Sequence, residues 1–127
     1  MSGLDRGRKT TGCAGERLAA RFLKKRGCKI LRRNCRAKFG EIDLLVRDGD
    51  EVVFVEVKTL ASRKHGAPDV NLRPDQVRRI RLAAERLATR ARITHYPLRF
   101  DVVTVVLSPQ DQPEIRHYEN AFSIREE

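Results

Sequence analysis

Aromatic residues are scarce in this chain of 127 residues, which has no tryptophan, five phenylalanines and two tyrosines. So few rings leave little surface on which the bases of a single-stranded nucleic acid could stack. No apolar run approaches the roughly 20 residues that a membrane-spanning helix needs, and the polar, basic segment 1–10 lacks the apolar centre of a signal peptide. We therefore expect a cytoplasmic protein that has no membrane partner.

Cysteine is also sparse, and its spacing is uninformative for ligand binding. Cys13, Cys28 and Cys35 are an odd number with no CxxC pair, and the three histidines lie far from them in sequence. This pattern indicates neither a disulfide framework nor a zinc site. We expect reduced, partly buried thiols.

The length and composition indicate one folded unit. Hydrophobic residues make up 40% of the chain and charged residues 35%, and the apolar residues fall in periodic runs. We find no internal repeat, low-complexity tract or linker, and a chain of this length suits one domain. Residues 1–127 are therefore expected to form a single domain, with residues 1–10 frayed.

The net charge of +10 is unevenly distributed along the chain. Residues 1–40 carry thirteen Lys or Arg against two acids, and residues 59–99 carry ten against three. Between them, residues 41–58 carry six acids against two basic residues. Basic flanks attract a polyanion, whereas an acidic cluster repels it unless metal ions intervene. The pattern suits an enzyme that uses metal ions to act on nucleic acid. It suits equally well a protein whose basic helix faces only keep it soluble.

Apolar periodicity predicts two helices and five strands. Helical spacing runs over residues 14–26 and for four turns after Pro74, whose place suits a first helical turn. Alternating or continuous apolar runs predict strands at 28–33, 41–47, 51–58, 98–107 and 114–119. The predicted order is α-β-β-β-α-β-β, with a hairpin turn at Asp48-Gly49.

The hairpin gathers acidic side chains on one face. With Asp48 and Gly49 as its loop, Asp43 lies opposite Phe54 and diagonal to Glu56, roughly 7 to 8 Å away between backbones. Lys58 projects from the same face, two residues beyond Glu56. Burying unpaired charge is costly, so these groups must be exposed, paired or bound to metal.

Two interpretations of this face remain open. It could be a solvent-facing hairpin with cross-strand ion pairs. Alternatively, Asp43 and Glu56, with a backbone carbonyl for which Val57 is the candidate, would hold Mg²⁺ or Mn²⁺. A nearby lysine could then orient water or stabilise the phosphorane, as phosphodiester hydrolysis requires.

The stretch GEIDLLVRDGDEVVFVEVK at residues 40–58 resembles the signature of the YraN-like family, and its D…ExK pattern resembles the PD-(D/E)xK nuclease superfamily. The resemblance extends to GERLAARFLKKRG at 15–27, the Asn34 region, RRIRLAAERL in helix two, RFDVV at 99–103 and NAF at 120–122. It therefore covers nearly the whole chain.

This resemblance implies an α/β, restriction-endonuclease-like fold, a central mixed sheet flanked by helices that is similar to archaeal Holliday junction resolvases. It implies that Asp43 and Glu56 ligate Mg²⁺ or Mn²⁺, that Lys58 is the catalytic lysine and that Glu16 is an auxiliary acid. Gln76 matches a polar position of the family and is a further candidate catalytic residue. Position 75 departs from the family pattern, since lysine is frequent at this position and the chain has Asp75. This departure weakens any claim for a second basic catalytic group.

The function expected on this basis is metal-dependent hydrolysis of DNA, with branched or otherwise structured DNA in recombination or repair as the substrate. Similar resolvases work as symmetric pairs, which implies a homodimer. The alternatives are a DNA-binding protein that has lost catalysis and an RNA- or ribosome-associated basic protein. Nucleic-acid contacts are expected from Arg33, Arg36, Lys38, Arg63, Lys64, Arg78 and Arg79.

Two further acids have open roles. Glu41 could be another metal ligand or a partner for Lys58. Asp101 could pair with Arg99 or with the arginines of helix two, a structural role in either case.

Overall fold

The computed structural model of the protein describes residues 3–37, 40–60 and 73–121. These residues form two helices and five strands in the predicted order, α-β-β-β-α-β-β. The elements are α1 (Gly3–Lys25), β1 (Lys29–Ala37), β2 (Gly40–Asp48), β3 (Glu51–Leu60), α2 (Pro74–Arg90), β4 (Leu98–Val106) and β5 (Glu114–Tyr118). None of the helices in the described residues is long and apolar enough to cross a membrane.

The five strands form one mixed sheet in the order β1-β2-β3-β4-β5. Three neighbouring pairs are antiparallel, and β3 and β4 run parallel. Parallel neighbours require a crossover, and α2 lies between β3 and β4 in the chain. The architecture is α/β and is consistent with a restriction-endonuclease-like fold, as predicted.

Each helix covers one face of the sheet because strand side chains alternate between the two faces. On one face α1 contributes Ala19, Ala20 and Leu23 to a cluster completed by Cys28, Leu44, Val46, Val53, Val55, Val103 and Val105. On the other, α2 contributes Ile80, Ala83, Ala84, Leu87 and Ala88, which pack on Ile42, Leu45, Val52, Phe54 and Phe100. We call these the α1 face and the α2 face.

Two predicted boundaries are wrong. Helix α1 begins at Gly3 rather than at residue 14, so it includes most of the segment that we expected to be frayed. Strand β1 continues to Ala37, through residues that we predicted to be a basic connection. Neither extension carries the apolar periodicity on which the prediction relied.

The hairpin turn is also displaced from the prediction. Asp48 pairs with Glu51, so the two-residue loop is Gly49-Asp50, and Gly49 adopts the positive φ of +61° that such turns need. Phe54 consequently lies opposite Leu45, not opposite Asp43. Because the shift is two residues, the side chains of the paired residues 44–48 and 51–55 keep their predicted faces.

A buried arginine explains why Asp48 stays in the strand. The side chain of Arg99 on β4 bonds to Asp48 Oδ2 at 3.0 Å, to Glu51 Oε1 at 2.9 Å and to both oxygens of Asp101 at 2.9 Å. It therefore ties β4 to both ends of the hairpin turn. Of the two kinds of partner expected for Asp101, Arg99 or the arginines of helix two, the structure shows Arg99.

Asp101 is itself the centre of a buried network on the α1 face. His117 Nε2 lies 2.7 Å from Asp101 Oδ2, and the Asn120 N–H donates to Asp101 Oδ1 at 2.9 Å. A carboxylate only accepts, so Nε2 is the donor. Burial alone raises the pKa of a carboxyl, but the hydrogen bonds from His117, Arg99 and Asn120 outweigh it and hold the pKa of Asp101 below its ordinary value.

Cys28 is a free thiol in the core under α1. Burial raises the pKa of this thiol, and Asp48 raises it further, so it stays protonated. Its role is packing.

Helix α1 approaches β3 most closely at Gly15. A Cβ at this position would overlap Thr59 Oγ1 and lie 2.9 Å from both Thr59 Cβ and Thr59 Cγ2. Only glycine permits this approach. The contact fixes the depth at which the first half of α1 lies on the sheet.

The Asp101→Asn variant should lose about 3 to 5 kcal/mol of unfolding free energy at neutral pH, because it removes the charge of the bidentate and most buried partner of Arg99. Folding lowers the pKa of this carboxyl, so its charge stabilises the folded protein at pH values above about 3.9, the pKa in the unfolded chain. That contribution is lost as the pH falls through the lower pKa of the folded protein. The gap between the variant and the wild type in urea unfolding should therefore narrow below that pH. Asp111→Asn, at an exposed aspartate, is the control; a gap of constant size would contradict the expectation.

The Gly15→Ala variant should cost about 1 to 3 kcal/mol, the usual penalty for overpacking. The cost should be smaller in a Thr59→Ala background, which removes Oγ1 and Cγ2. A double-mutant cycle by urea unfolding measures this coupling. Additive costs would show that the Thr59 side chain does not limit the approach of α1.

Candidate active site

The candidate site lies where β2 and β3 separate. Their backbone pairing runs from Asp48 with Glu51 only as far as Leu44 with Val55. On its other side β3 stays paired with β4 up to Leu60 with Val106. We call the space beside β3, beyond the pair of Leu44 and Val55, the fork.

Asp43 directs its carboxylate into the fork. The backbone N–H of Val57 donates to Asp43 Oδ2 at 2.8 Å. Strand alternation is interrupted here, since Ile42 packs on the α2 face whereas Leu44 packs on the α1 face, two residues on. The interruption departs from the regular alternation on which the strand at 41–47 was predicted. It lets the Asp43 side chain point toward the backbone of β3.

The carbonyl of Val57 faces the fork as well. Even-numbered residues of β3 bond toward β4, since Val52 N–H donates to the Pro97 carbonyl and the Leu60 carbonyl accepts from Leu107 N–H. The N–H and C=O of one strand residue point to the same side, so both groups of Val57 point toward β2. A main-chain oxygen therefore accompanies the Asp43 carboxylate.

Glu56 and Lys58 flank Val57 on the chain. Both side chains are half-buried, and by alternation from Phe54 they belong to the α2 face. The structure thus brings Asp43 to the middle residue of the Glu56-Val57-Lys58 tripeptide. The predicted juxtaposition of Asp43 with this segment holds although the predicted register does not.

Glu16 lies on α1, near the end of β3. It follows Gly15, which contacts Thr59, and Thr59 follows Lys58. Its side chain is half-buried. A carboxylate on α1 therefore stands beside the end of β3.

Gln76 lies in the first turn of α2 and is half-buried. Its Oε1 accepts the Arg73 N–H at 3.0 Å, which gives it a role in starting the helix. Asp75, in the same turn, is exposed and lies 3.5 Å from Arg79 Nη2 and 3.6 Å from Arg73 Nε. An acid there is favourable to the helix dipole.

Three of the seven predicted nucleic-acid contacts have described side chains. Arg33 is exposed on β1, and Arg78 and Arg79 are exposed on α2. The positions Lys38, Arg63 and Lys64 lie outside the described residues, as do the side chains of Arg36 and Glu41.

The sequence reasoning missed two positions. Gly15 gives no periodic signal, although a glycine inside a helical pattern is itself a sign of close packing. His117 was assigned no partner, and the link to Asp101 joins residues sixteen apart on neighbouring strands. Its exposed fraction is only 2%, so it does not extend the candidate site.

The donor set in the fork consists of oxygen atoms. Within the described part of the chain, no three His, Cys, Asp or Glu side chains are grouped so that they could hold a metal ion. A site here would therefore combine the Asp43 and Glu56 carboxylates with the Val57 carbonyl and water. Hard oxygen donors of this kind fit Mg²⁺ or Mn²⁺.

Comparison with known proteins adds a family to this geometry. Residues 15–105 match the model of the uncharacterised protein family UPF0102. A UPF0102 protein of Syntrophus aciditrophicus is 45% identical over 100 residues, which are 79% of each chain. Relatives from Geobacter sulfurreducens, at 39% over 91% of each chain, and Rhodococcus opacus, at 40% over 87% of this chain and 94% of the relative, have the same name. The chain belongs to the UPF0102 family, also called the YraN family.

Proposed function

We propose that this protein hydrolyses phosphodiester bonds in DNA and uses Mg²⁺ or Mn²⁺ held in the fork. The observation that carries the proposal is the 2.8 Å hydrogen bond from Val57 N–H to Asp43 Oδ2. It supports the proposal because it joins a carboxylate to the backbone of Val57, the residue that Glu56 and Lys58 flank. An acidic opening of this kind has no use in a protein that only binds a polyanion.

The proposed ligands are Asp43, Glu56 and the Val57 carbonyl. A bound divalent ion would supply Lewis acidity at a phosphoryl oxygen and a more acidic water. Asp43 already accepts one hydrogen bond through Oδ2, so its orientation is fixed before any ligand binds. Glu16, from α1, is the proposed auxiliary acid.

Lys58 is the proposed catalytic cation. It is two residues from Glu56 on the same face of β3, and its half-buried position makes its charge more effective than that of a fully solvated lysine. An ammonium group there can orient the attacking water or stabilise negative charge that develops on the phosphorane. Gln76 is a weaker candidate, because its amide oxygen already accepts the Arg73 N–H.

Exposed cations support DNA as the substrate. Arg33, Arg78 and Arg79 are exposed, and α2 begins at the end of the sheet where β3 finishes. Arginines bind phosphates without reading bases. We propose branched or otherwise structured DNA in recombination or repair, and a homodimer, on the likeness to resolvases described above; Arg36, Lys38, Arg63 and Lys64 are further proposed contacts.

Cleavage of duplex, flap and four-way-junction DNA should require Mg²⁺ or Mn²⁺ and should stop in EDTA. Lys58→Ala should lower kcat by about 10² to 10⁴, since the group acts mainly in the transition state. DNA binding should change little. Asp43→Asn should lose activity while keeping the fold, because an amide oxygen can still accept the Val57 N–H.

Arg116→Ala is the matched control for charge, since it removes an exposed cation on β5, two strands from β3, that pairs with Glu114. It should keep full turnover. Activity that survives EDTA, or full activity in Lys58→Ala, would exclude the nuclease assignment. A DNA-binding protein without catalysis would then be the better interpretation, and preferential binding of RNA would favour the RNA-associated alternative.

DNA affinity should fall steeply with salt. For six phosphate contacts, the plot of log affinity against log salt should have a slope of about −5, from roughly −0.9 per phosphate. Replacing Arg78 and Arg79 by alanine should make the slope shallower by about 2 and weaken binding equally for unrelated sequences. Fluorescence anisotropy over a salt series measures both, with Arg116→Ala again as the control; an affinity independent of salt would be incompatible with phosphate contacts.

A further inference from the structure

The turn that ends α2 contains an arginine where glycine is usual. Ile93 N–H bonds to the Ala88 carbonyl at 2.9 Å and Arg92 N–H to the Thr89 carbonyl at 3.2 Å, the two bonds of a Schellman motif. Arg92 occupies the left-handed position of that motif, with φ of +58°. Glycine adopts this conformation without steric cost, whereas arginine is strained there. The fold itself therefore does not account for an arginine at this position.

Two aromatic rings stand exposed in the same turn. The rings of His95 and Tyr96 are in contact, with centroids 4.3 Å apart and planes tilted by 38°. Tyr96 is 44% exposed, the largest exposed fraction among the large hydrophobic residues of the described part of the chain. The Tyr96 N–H donates to the Ile93 carbonyl at 3.1 Å, and the Pro97 carbonyl accepts from Val52 N–H at 2.9 Å. The rings are thus held on an ordered turn.

The segment that carries these rings is positively charged. No acidic residue occurs from 86 to 100, a stretch that holds Arg86, Arg90, Arg92 and Arg99. Arg99 is turned inward, where it bonds to Asp101 and to the hairpin acids Asp48 and Glu51. Arg90 and Arg92 are exposed on the same segment. A stacking surface next to cations is the combination that binds unpaired nucleotides.

We propose that the turn at residues 91–97 is a second nucleic-acid site, which binds an unpaired segment of DNA. A base stacks on the Tyr96 ring, supported by His95, and Arg92 contacts the adjacent phosphate. A duplex hides its base faces, so the site favours a single strand. This inference deepens the proposed function and rests on it for DNA as the ligand.

The distance to the fork sets the length of the unpaired segment. Val52 bonds to the turn and Val57 bonds to Asp43, so five residues of β3 separate the two sites. At roughly 3.3 Å per residue this is about 16 Å, or about five stacked nucleotides at 3.4 Å each. The substrate would therefore carry an unpaired stretch of about that length next to the bond in the fork.

The test is binding of a fluorescent single-stranded oligonucleotide and a duplex of equal length, measured by anisotropy in EDTA so that no cleavage occurs. Tyr96→Leu should weaken single-strand binding by about tenfold, because stacking is lost, and should barely change duplex binding. Tyr96→Phe keeps the ring and should bind normally. Arg92→Gly should weaken single-strand binding without lowering the thermal midpoint, since glycine relieves the left-handed strain.

Unchanged single-strand affinity in Tyr96→Leu, or equal loss for single strand and duplex, would overturn the proposal. So would Arg92→Gly if its affinity equals that of the wild type. Arg116→Ala, an exposed arginine elsewhere, controls for loss of charge. A protein that binds single strands through Tyr96 but cleaves no DNA contradicts only the proposed nuclease activity. If the protein cleaves DNA but the Tyr96→Leu variant binds single strands as the wild type does, only this inference is contradicted.

Discussion

The bond from Val57 N–H to Asp43 Oδ2 stands where the ladder between β2 and β3 would otherwise continue. A strand N–H that loses its partner carbonyl needs another acceptor, and a carboxylate is a strong one. Because Asp43 provides it, β3 can remain paired with β4 while β2 turns away. The opening that results is bordered by backbone and acid oxygens rather than by apolar side chains, and every role proposed for Glu56 and Lys58 depends on it.

The acids of residues 41–58 are divided between two environments. Asp48 and Glu51 bond to the buried Arg99, which the protein supplies from β4. Asp43 and Glu56 lie at the other end of the hairpin, by the fork. Charge counting along the sequence treats this acidic strip as one feature. In the fold, one end of the strip bonds to the internal cation Arg99, and the other end lies by the fork.

The element order could be predicted from apolar periodicity, and so could the strand faces outside the interruption at Ile42, because burial of alternate residues is a local signal. The register of the hairpin could not. Asp48-Gly49 and Gly49-Asp50 are both acceptable loops, and the choice depends on Arg99, which lies 51 residues from Asp48 in the chain. For the same reason only one of the partners of Asp101 could be predicted. Arg99 is two residues away in the chain, whereas His117 comes close to Asp101 only through the pairing of β4 with β5.

The charges on α2 serve the helix as well as the proposed ligands. Parallel pairing of β3 and β4 obliges α2 to run back along the sheet, so its first turn lies at the end of the sheet where β3 finishes and its last turn at the opposite end. Asp75 in the first turn and Arg90 in the last both complement the helix dipole. Arg92, two residues after Arg90, also has the positive charge that favours the helix dipole, but its backbone conformation is strained. Helix stability therefore accounts for Arg90 but only in part for Arg92, and that difference is why the turn, rather than the helix, carries the argument for a second site.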